Sequence, residues 1–131
     1  MLRIQSPLSE ELEDLIHRTI GCCIAVHREL GPGLLEHIYA RAICIELTAA
    51  RIPFEREKKI AVMYRGELLC EQRLDFVVKG ELLLEIKSIE RLVAIHHAQT
   101  LSYMRIAHLR AGLLINFNVP ILQDGIRRKI L

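Results

Sequence analysis

The sequence predicts a mixed α/β fold, one sheet with parallel and antiparallel neighbours flanked by helices. Three observations predict it. Apolar residues recur at helical spacing from Ser9 to Ala50. The period then shortens to that of strands between Lys59 and Ile89. The links within that second region are too short for crossovers, so its strands pair antiparallel. A further helix separates the third strand from the fourth, and a strand–helix–strand crossover of that kind sets them parallel.

Each element has its own signal. Residues Ser9 to Leu30 carry an apolar repeat of Leu12, Leu15, Ile16, Ile20, Cys23, Ile24 and Leu30. Ser9 suits the N-cap, and Glu10, Glu11 and Glu13 complement the helix dipole. The "LGPG" run stops this helix, Gly31 taking a left-handed position and Pro32 blocking continuation. A second helix is expected from Leu34 to Ala50, with Leu35, Ile38, Ala42, Ile45 and Ala49 as its inner stripe, ending before Pro53. "KIAVMY", "LLCEQRLDFVV" and "ELLLEIKSI" read as three strands, joined through turns at Gly66 and Gly80. A third helix is expected from Leu92 to Arg110 and a fourth strand at "LLINFNV". The closing "QDGIRRKIL" reads as a short element of undetermined type.

A chain of 131 residues fits one domain spanning 1–131, and 51% hydrophobic with 26% charged residues excludes a disordered tail. No run reaches the ~18 apolar residues of a membrane span. The opening "MLRIQSPLSEELEDL" lacks the apolar core of a signal peptide. The expectation is a soluble cytoplasmic protein with no membrane partner. Net charge is +2, so a nucleic-acid partner would need local basic patches. "IRRKI" and the Arg105/Arg110 pair are candidates, the alternative being an ordinary solvated face. Cys22, Cys23, Cys44 and Cys70 contain no CxxC pair and sit among apolar residues, so all are expected as reduced, buried thiols.

The chemistry is concentrated in "LLLEIKSIERL", residues 82–92, where Glu85 and Lys87 interrupt a buried strand. Burying charge is unfavourable unless it is paired or binds a metal. Strand geometry puts Leu83, Glu85 and Lys87 on one face, with Glu85 and Lys87 ~6–7 Å apart. Asp75 lies in the preceding strand, opposite a position near 84 to 86. Two carboxylates held together take up a proton unless a cation lies between them. Oxygen donors of this kind suit Mg²⁺ or Mn²⁺, with Lys87 beside the reacting groups, which is the layout of a phosphodiester-hydrolysing site. A structural ion pair is the competing reading. The second E-x-K triplet, Glu57-Lys58-Lys59, stands in a polar setting and reads as surface charge. Glu36 and Tyr39 share a face at the start of the second helix, as do His96, Gln99 and Tyr103 on the third. Glu36 is either a first-turn acid or a further metal ligand. Gln99 and Tyr103 either orient a ligand or the lysine, or form a polar helix–sheet seam.

The stretch "GLLEHIY" resembles the signature of the GxxExxY proteins, a branch of the PD-(D/E)XK nuclease superfamily. The resemblance covers nearly the whole chain, through "VHRELGPGLLEHIYARAICIEL", "LDFVVKGELLLEIKSIERL", "HHAQTLSYMR" and "GLLINFNVP" in the family's order. It implies a restriction-endonuclease-like αβββαβ core with an additional N-terminal helix. It implies that Glu36, Asp75 and Glu85 hold Mg²⁺ or Mn²⁺ with the Ile86 carbonyl, and that Lys87 assists catalysis. It makes Gln99, Tyr103 and Tyr39 supporting or substrate-contacting residues. His27 falls in the family's "VH" segment and is expected as a satisfied histidine near a helix end. Arg73 and Leu74 precede Asp75 where the superfamily often has proline, and the cysteines do not match the iron–sulphur relatives. The implied activity is hydrolysis of nucleic acid, most naturally DNA; a nuclease this short would need a homo-oligomer or a partner protein to clamp a duplex. The alternative is a non-catalytic assembly or binding module on the same fold, using a spare apolar face of the long first helix.

Overall fold

The computed structural model describes residues 5–131; Met1 to Ile4, the start of the stretch read for a signal peptide, lie outside the described residues. The elements run α1 (Glu10–Leu30), α2 (Glu36–Ala49), β1 (Phe54–Tyr64), β2 (Glu67–Val78), β3 (Leu82–Lys87), α3 (Ala94–Ile106), β4 (Ala111–Asn116), a 3₁₀ turn (Leu122–Gly125) and β5 (Ile126–Ile130). The closing segment, undetermined from sequence, is thus a 3₁₀ turn followed by an edge strand.

The five strands form one sheet in chain order, β1-β2-β3-β4-β5. β3 and β4 are parallel and the other neighbours antiparallel. The crossover between β3 and β4 is α3. Arg65 and Gly66 turn the first hairpin with φ of 50° and 82°, and Lys79 and Gly80 turn the second with 53° and 68°. Paired left-handed residues match the twist of the flanking strands and so fix register. The second turn sets Phe76 against Leu84 and Val78 against Leu82.

The helices cover both faces. Leu82, Leu84 and Ile86 pack with Phe76, Ile43, Leu47, Ile16 and Cys23 on the α1/α2 side. Leu83 packs with Leu74, Val77 and Met104 on the α3 side. α3 lies so close to β4 that a Cβ at Gly112 would stand 2.7 Å from Met104 Sδ. α1 is held at both ends as its sequence predicts: Ser9 Oγ accepts the Leu12 N–H at 3.1 Å, and Gly31, at φ 69°, donates to the His27 carbonyl at 2.8 Å.

Three expectations need correction. The buried stripe of α2 is Tyr39, Ala40, Ile43 and Leu47, while Leu35 and Ile45 are 66% and 65% exposed. α2 is apolar nearly all round, so two stripes have helical spacing; the winning one carries Tyr39, whose ring stacks on Phe117 at 4.7 Å. Only Cys22 and Cys23 are buried; Cys44 is half-buried and Cys70 exposed, though all four are free thiols. Cys70 lies in the outer half of the β1–β2 hairpin, exposed from residue 63 to 71. Nor does α1 keep a spare apolar face, since Leu12, Ile20 and Ile24 all pack on the core. Among the described residues no helix is long and apolar enough to cross a membrane.

Candidate active site

The site forms where the β2–β3 ladder gives way to side chains. Main-chain pairing ends at Phe76–Leu84. One step further, the Asp75 N–H donates to Glu85 Oε1 at 3.1 Å and the Ile86 N–H donates to Asp75 Oδ2 at 2.8 Å. Two carboxylates therefore accept bonds that carbonyls would take in a continuous sheet. Side-chain alternation breaks at the same point: Leu74 and Val77 both pack on the α3 side, while Phe76 and Val78 pack on the other. Local irregularity of this kind re-aims a side chain.

Glu36 is delivered by the turn between α1 and α2. Gly33 takes φ 95°, a left-handed conformation that favours glycine. The Tyr39 hydroxyl donates to the Gly31 carbonyl at 2.5 Å and accepts the Leu34 N–H at 3.1 Å. Ser88, just past β3, donates to the Leu34 carbonyl at 2.5 Å, fastening the turn to the end of that strand. The spacing of Gly33, Glu36 and Tyr39 thus has a mechanical basis. Glycine makes the turn, tyrosine pins it and glutamate opens the helix. Tyr39 itself is fully buried and cannot touch a substrate, which corrects that part of its expected role.

A cavity of about 360 Å³ opens at this place, with Glu36, His37, Arg56, Glu57, Asp75 and Ile86 among its wall residues. Glu85, only 5% exposed, is not among the wall residues. Lys87 is half-buried at the end of β3. From sequence, Arg56 and Glu57 read as surface charge, and nothing in their residue types marks them as cavity walls.

Burial dominates the electrostatics of the site. Burial, and then the charge of Asp75, push the Glu85 carboxyl up to about 8, against the opposing pull of the Asp75 N–H and Lys87. Burial raises Asp75 too, opposed by the Ile86 N–H, Glu85, Lys87 and Arg56. Glu36 is raised by partial burial and by Asp75, with Lys87 opposing. The Tyr103 hydroxyl is raised by burial and by the charges of Glu85 and Asp75, which places this α3 residue within their field. Gln99 is exposed on the same helix. His27 is set apart from the site, its Nε2 bonded to the Val119 carbonyl at 2.8 Å.

Among the described residues no group of three or more His, Cys, Asp or Glu side chains is arranged so that it could hold a metal ion. The donor set nevertheless fits a hard divalent ion. It is all oxygen, and Asp75 and Glu85 each accept one backbone N–H while lying within hydrogen-bond reach of each other. Burial, the largest cause for each, makes Glu36, Asp75 and Glu85 hold their protons more tightly than free carboxyls do, so a divalent ion would bind there in exchange for protons.

A sequence model of the PD-(D/E)XK nuclease superfamily matches residues 13–129. The chain belongs to that superfamily. Its mixed sheet between helices agrees with the superfamily's restriction-endonuclease-like core, and family and fold together support a nuclease-like function. No curated protein and no solved structure matches the chain.

Proposed function

We propose that this PD-(D/E)XK protein is a divalent-metal-dependent nuclease that hydrolyses phosphodiester bonds in DNA, and that within the superfamily it is one of the GxxExxY proteins. The observation that carries this reading is the Asp75–Glu85 pair, two acids held side by side by backbone N–H donors with Glu85 buried.

Asp75, Glu85, Glu36 and the Ile86 carbonyl would hold Mg²⁺ or Mn²⁺. The ion would offset their charge, polarise the phosphate and make water a better nucleophile at neutral pH. The chain's own groups do the rest. The Ile86 and Asp75 N–H groups hold the two carboxylates in place. Lys87 directs its ammonium toward the attacking water and the negative charge developing on the phosphate. Tyr103, in the field of both acids, orients the same water or the lysine, and Gln99 reaches substrate from the exposed side of α3.

The nucleic-acid partner has a basic surface available. The cross-strand row of Glu85 continues through Leu114 on β4 to Arg127 on β5. Next to it, Lys129 Nζ lies 2.6 Å from His97 Nδ1. Burial first, and then the charges of Lys129 and Arg127, hold His97 below the ordinary histidine range. The test is cleavage of labelled DNA and RNA with Mg²⁺ or Mn²⁺ by wild type, Asp75→Ala and Lys87→Ala. Loss of metal-dependent cleavage in both variants supports the reading. Inactive wild type that binds no metal contradicts it.

A second reading, a non-catalytic module working by homo-oligomeric assembly, is favoured by apolar exposure away from the cavity. Met63, Tyr64, Leu68 and Leu69 are 54–64% exposed on the β1–β2 hairpin. A defined assembly seen by light scattering, unchanged by Lys87→Ala and inactive on nucleic acid, would select this reading. An active oligomer would join the two.

A further inference from the structure

β1 contains a conformation that its sequence does not announce. Glu57, the fourth residue of an eleven-residue strand, has φ 53°, in the left-handed region. A non-glycine residue seldom sits there, and holding it there costs on the order of 1–3 kcal/mol. The pairings on either side, Arg56 with Phe76 and Lys58 with Leu74, keep one register. No residue is inserted at this point. That register brings Glu57 level with Asp75, and the ladder has no bridge at this step. The β2 strand is therefore released on both sides of its acid: toward β3 its links pass through carboxylates, and toward β1 the backbone turns away. Strain of this kind persists where surrounding structure imposes it, and such places cluster at ligand sites.

The consequence of the turn is where it leaves Arg56. Its neighbour Glu57 is in a weak, exposed ion pair with Arg73 at 3.7 Å. Arg56, among the described residues, has no ion-pair partner within 4 Å. Yet it stands on the wall of the acid cavity with Glu36 and Asp75. A guanidinium presents a planar fork of donors that matches two phosphate oxygens at once. A phosphate approaching Glu36 and Asp75 is repelled by both, and a guanidinium on the same wall, near enough to act on Asp75 but in no ion pair with it, offsets that repulsion.

We propose that Arg56 is a substrate-positioning residue, its guanidinium gripping a phosphate of the nucleic-acid strand at or next to the scissile bond, and that the left-handed turn at Glu57 aims it there. This rests on the nuclease reading above. Arg56 takes no proton and forms no bond in the reaction; it acts by fixing the phosphate against the acids.

The experiment measures steady-state cleavage of a fluorescein-labelled DNA duplex in Mn²⁺, and its binding in Ca²⁺. It compares wild type, Arg56→Gln, Arg56→Lys and Arg65→Gln, the last removing an equal charge at the hairpin turn. Losing a charged, forked hydrogen bond corresponds to roughly ten- to hundredfold. Arg56→Gln accordingly raises KM and weakens binding by at least about tenfold, with a smaller change in kcat. Arg56→Lys recovers part of the loss, and Arg65→Gln matches wild type. A wild-type KM in Arg56→Gln, or an equal defect in Arg65→Gln, overturns the proposal. So does a defect confined to Mn²⁺ affinity and kcat, which would make Arg56 a mere counter-charge to the acids. Wild type that cleaves while Arg56→Gln cleaves equally well refutes Arg56 alone. Wild type that neither binds nor cleaves removes the nuclease reading with it.

Discussion

Tyr39 shows how much one hydroxyl organises. It satisfies the Gly31 carbonyl and the Leu34 N–H together, and so holds the turn from which Glu36 projects. Tyr39→Phe leaves both groups without that partner and is expected to cost about 1–3 kcal/mol, read by urea unfolding. Metal affinity should fall with it, because Glu36 loses its fixed approach. Asp75 behaves oppositely. Its buried carboxyl is held above its ordinary range mainly by burial, so it opposes folding when charged. Asp75→Asn should abolish cleavage while leaving thermal stability equal or higher, a separation that differential scanning fluorimetry beside an activity assay would reveal. Glu85 sets a pH dependence. A carboxyl raised from 4.5 to about 8 binds its proton more tightly in the folded chain. The stability it lends is complete below about 4.5 and is lost as pH rises through about 8. In EDTA the protein should therefore lose unfolding free energy between pH 5 and pH 8, and Glu85→Gln should flatten that part of the profile.

At the scale of elements, the two buried glycines make different demands. A Cβ at Gly112 meets the flexible Met104 side chain, which can shift. A Cβ at Gly125 would stand 2.1 Å from the Asn116 carbonyl oxygen, which is backbone. Asn116 also fastens the segment after β3, accepting from the Ile89 N–H and donating to the Ile89 carbonyl. Gly125→Ala should thus cost ~1–3 kcal/mol, more than Gly112→Ala, with chemical denaturation as the check. The same scale shows what residue types reveal. The nearness of Asp75 and Glu85 was legible because a short glycine turn lets the register be counted. The caps of α1 were legible because serine and glycine have specific backbone uses. The inner face of α2 was not, because Ile38 and Ile45 compete with Tyr39 and Ile43, both pairs having helical spacing. β5 was obscured because its Arg127, Arg128 and Lys129 hide a strand that pairs only along one edge. The turn at Glu57 had no signal, since nothing in glutamate prefers a left-handed backbone.

Across the whole molecule, charge separates into an acid cavity at Asp75 and a basic edge at Arg127 and Lys129 on the same sheet. The opposite side of β5 is tied to α1, where Arg128 pairs with Glu13. Replacing Arg127 and Lys129 by glutamine should weaken DNA binding across sequences, and lower the salt slope by about one for each phosphate no longer neutralised. Titrating salt against fluorescence anisotropy reads this directly. The central claim is that Asp75 and Glu85, with Glu36, are an ion site and not an isolated buried pair. Calorimetric titration of Mn²⁺ into wild type and Asp75→Asn tests it most directly. The account predicts saturable binding that vanishes in the variant. Equal binding by both proteins, or none by wild type, would contradict it.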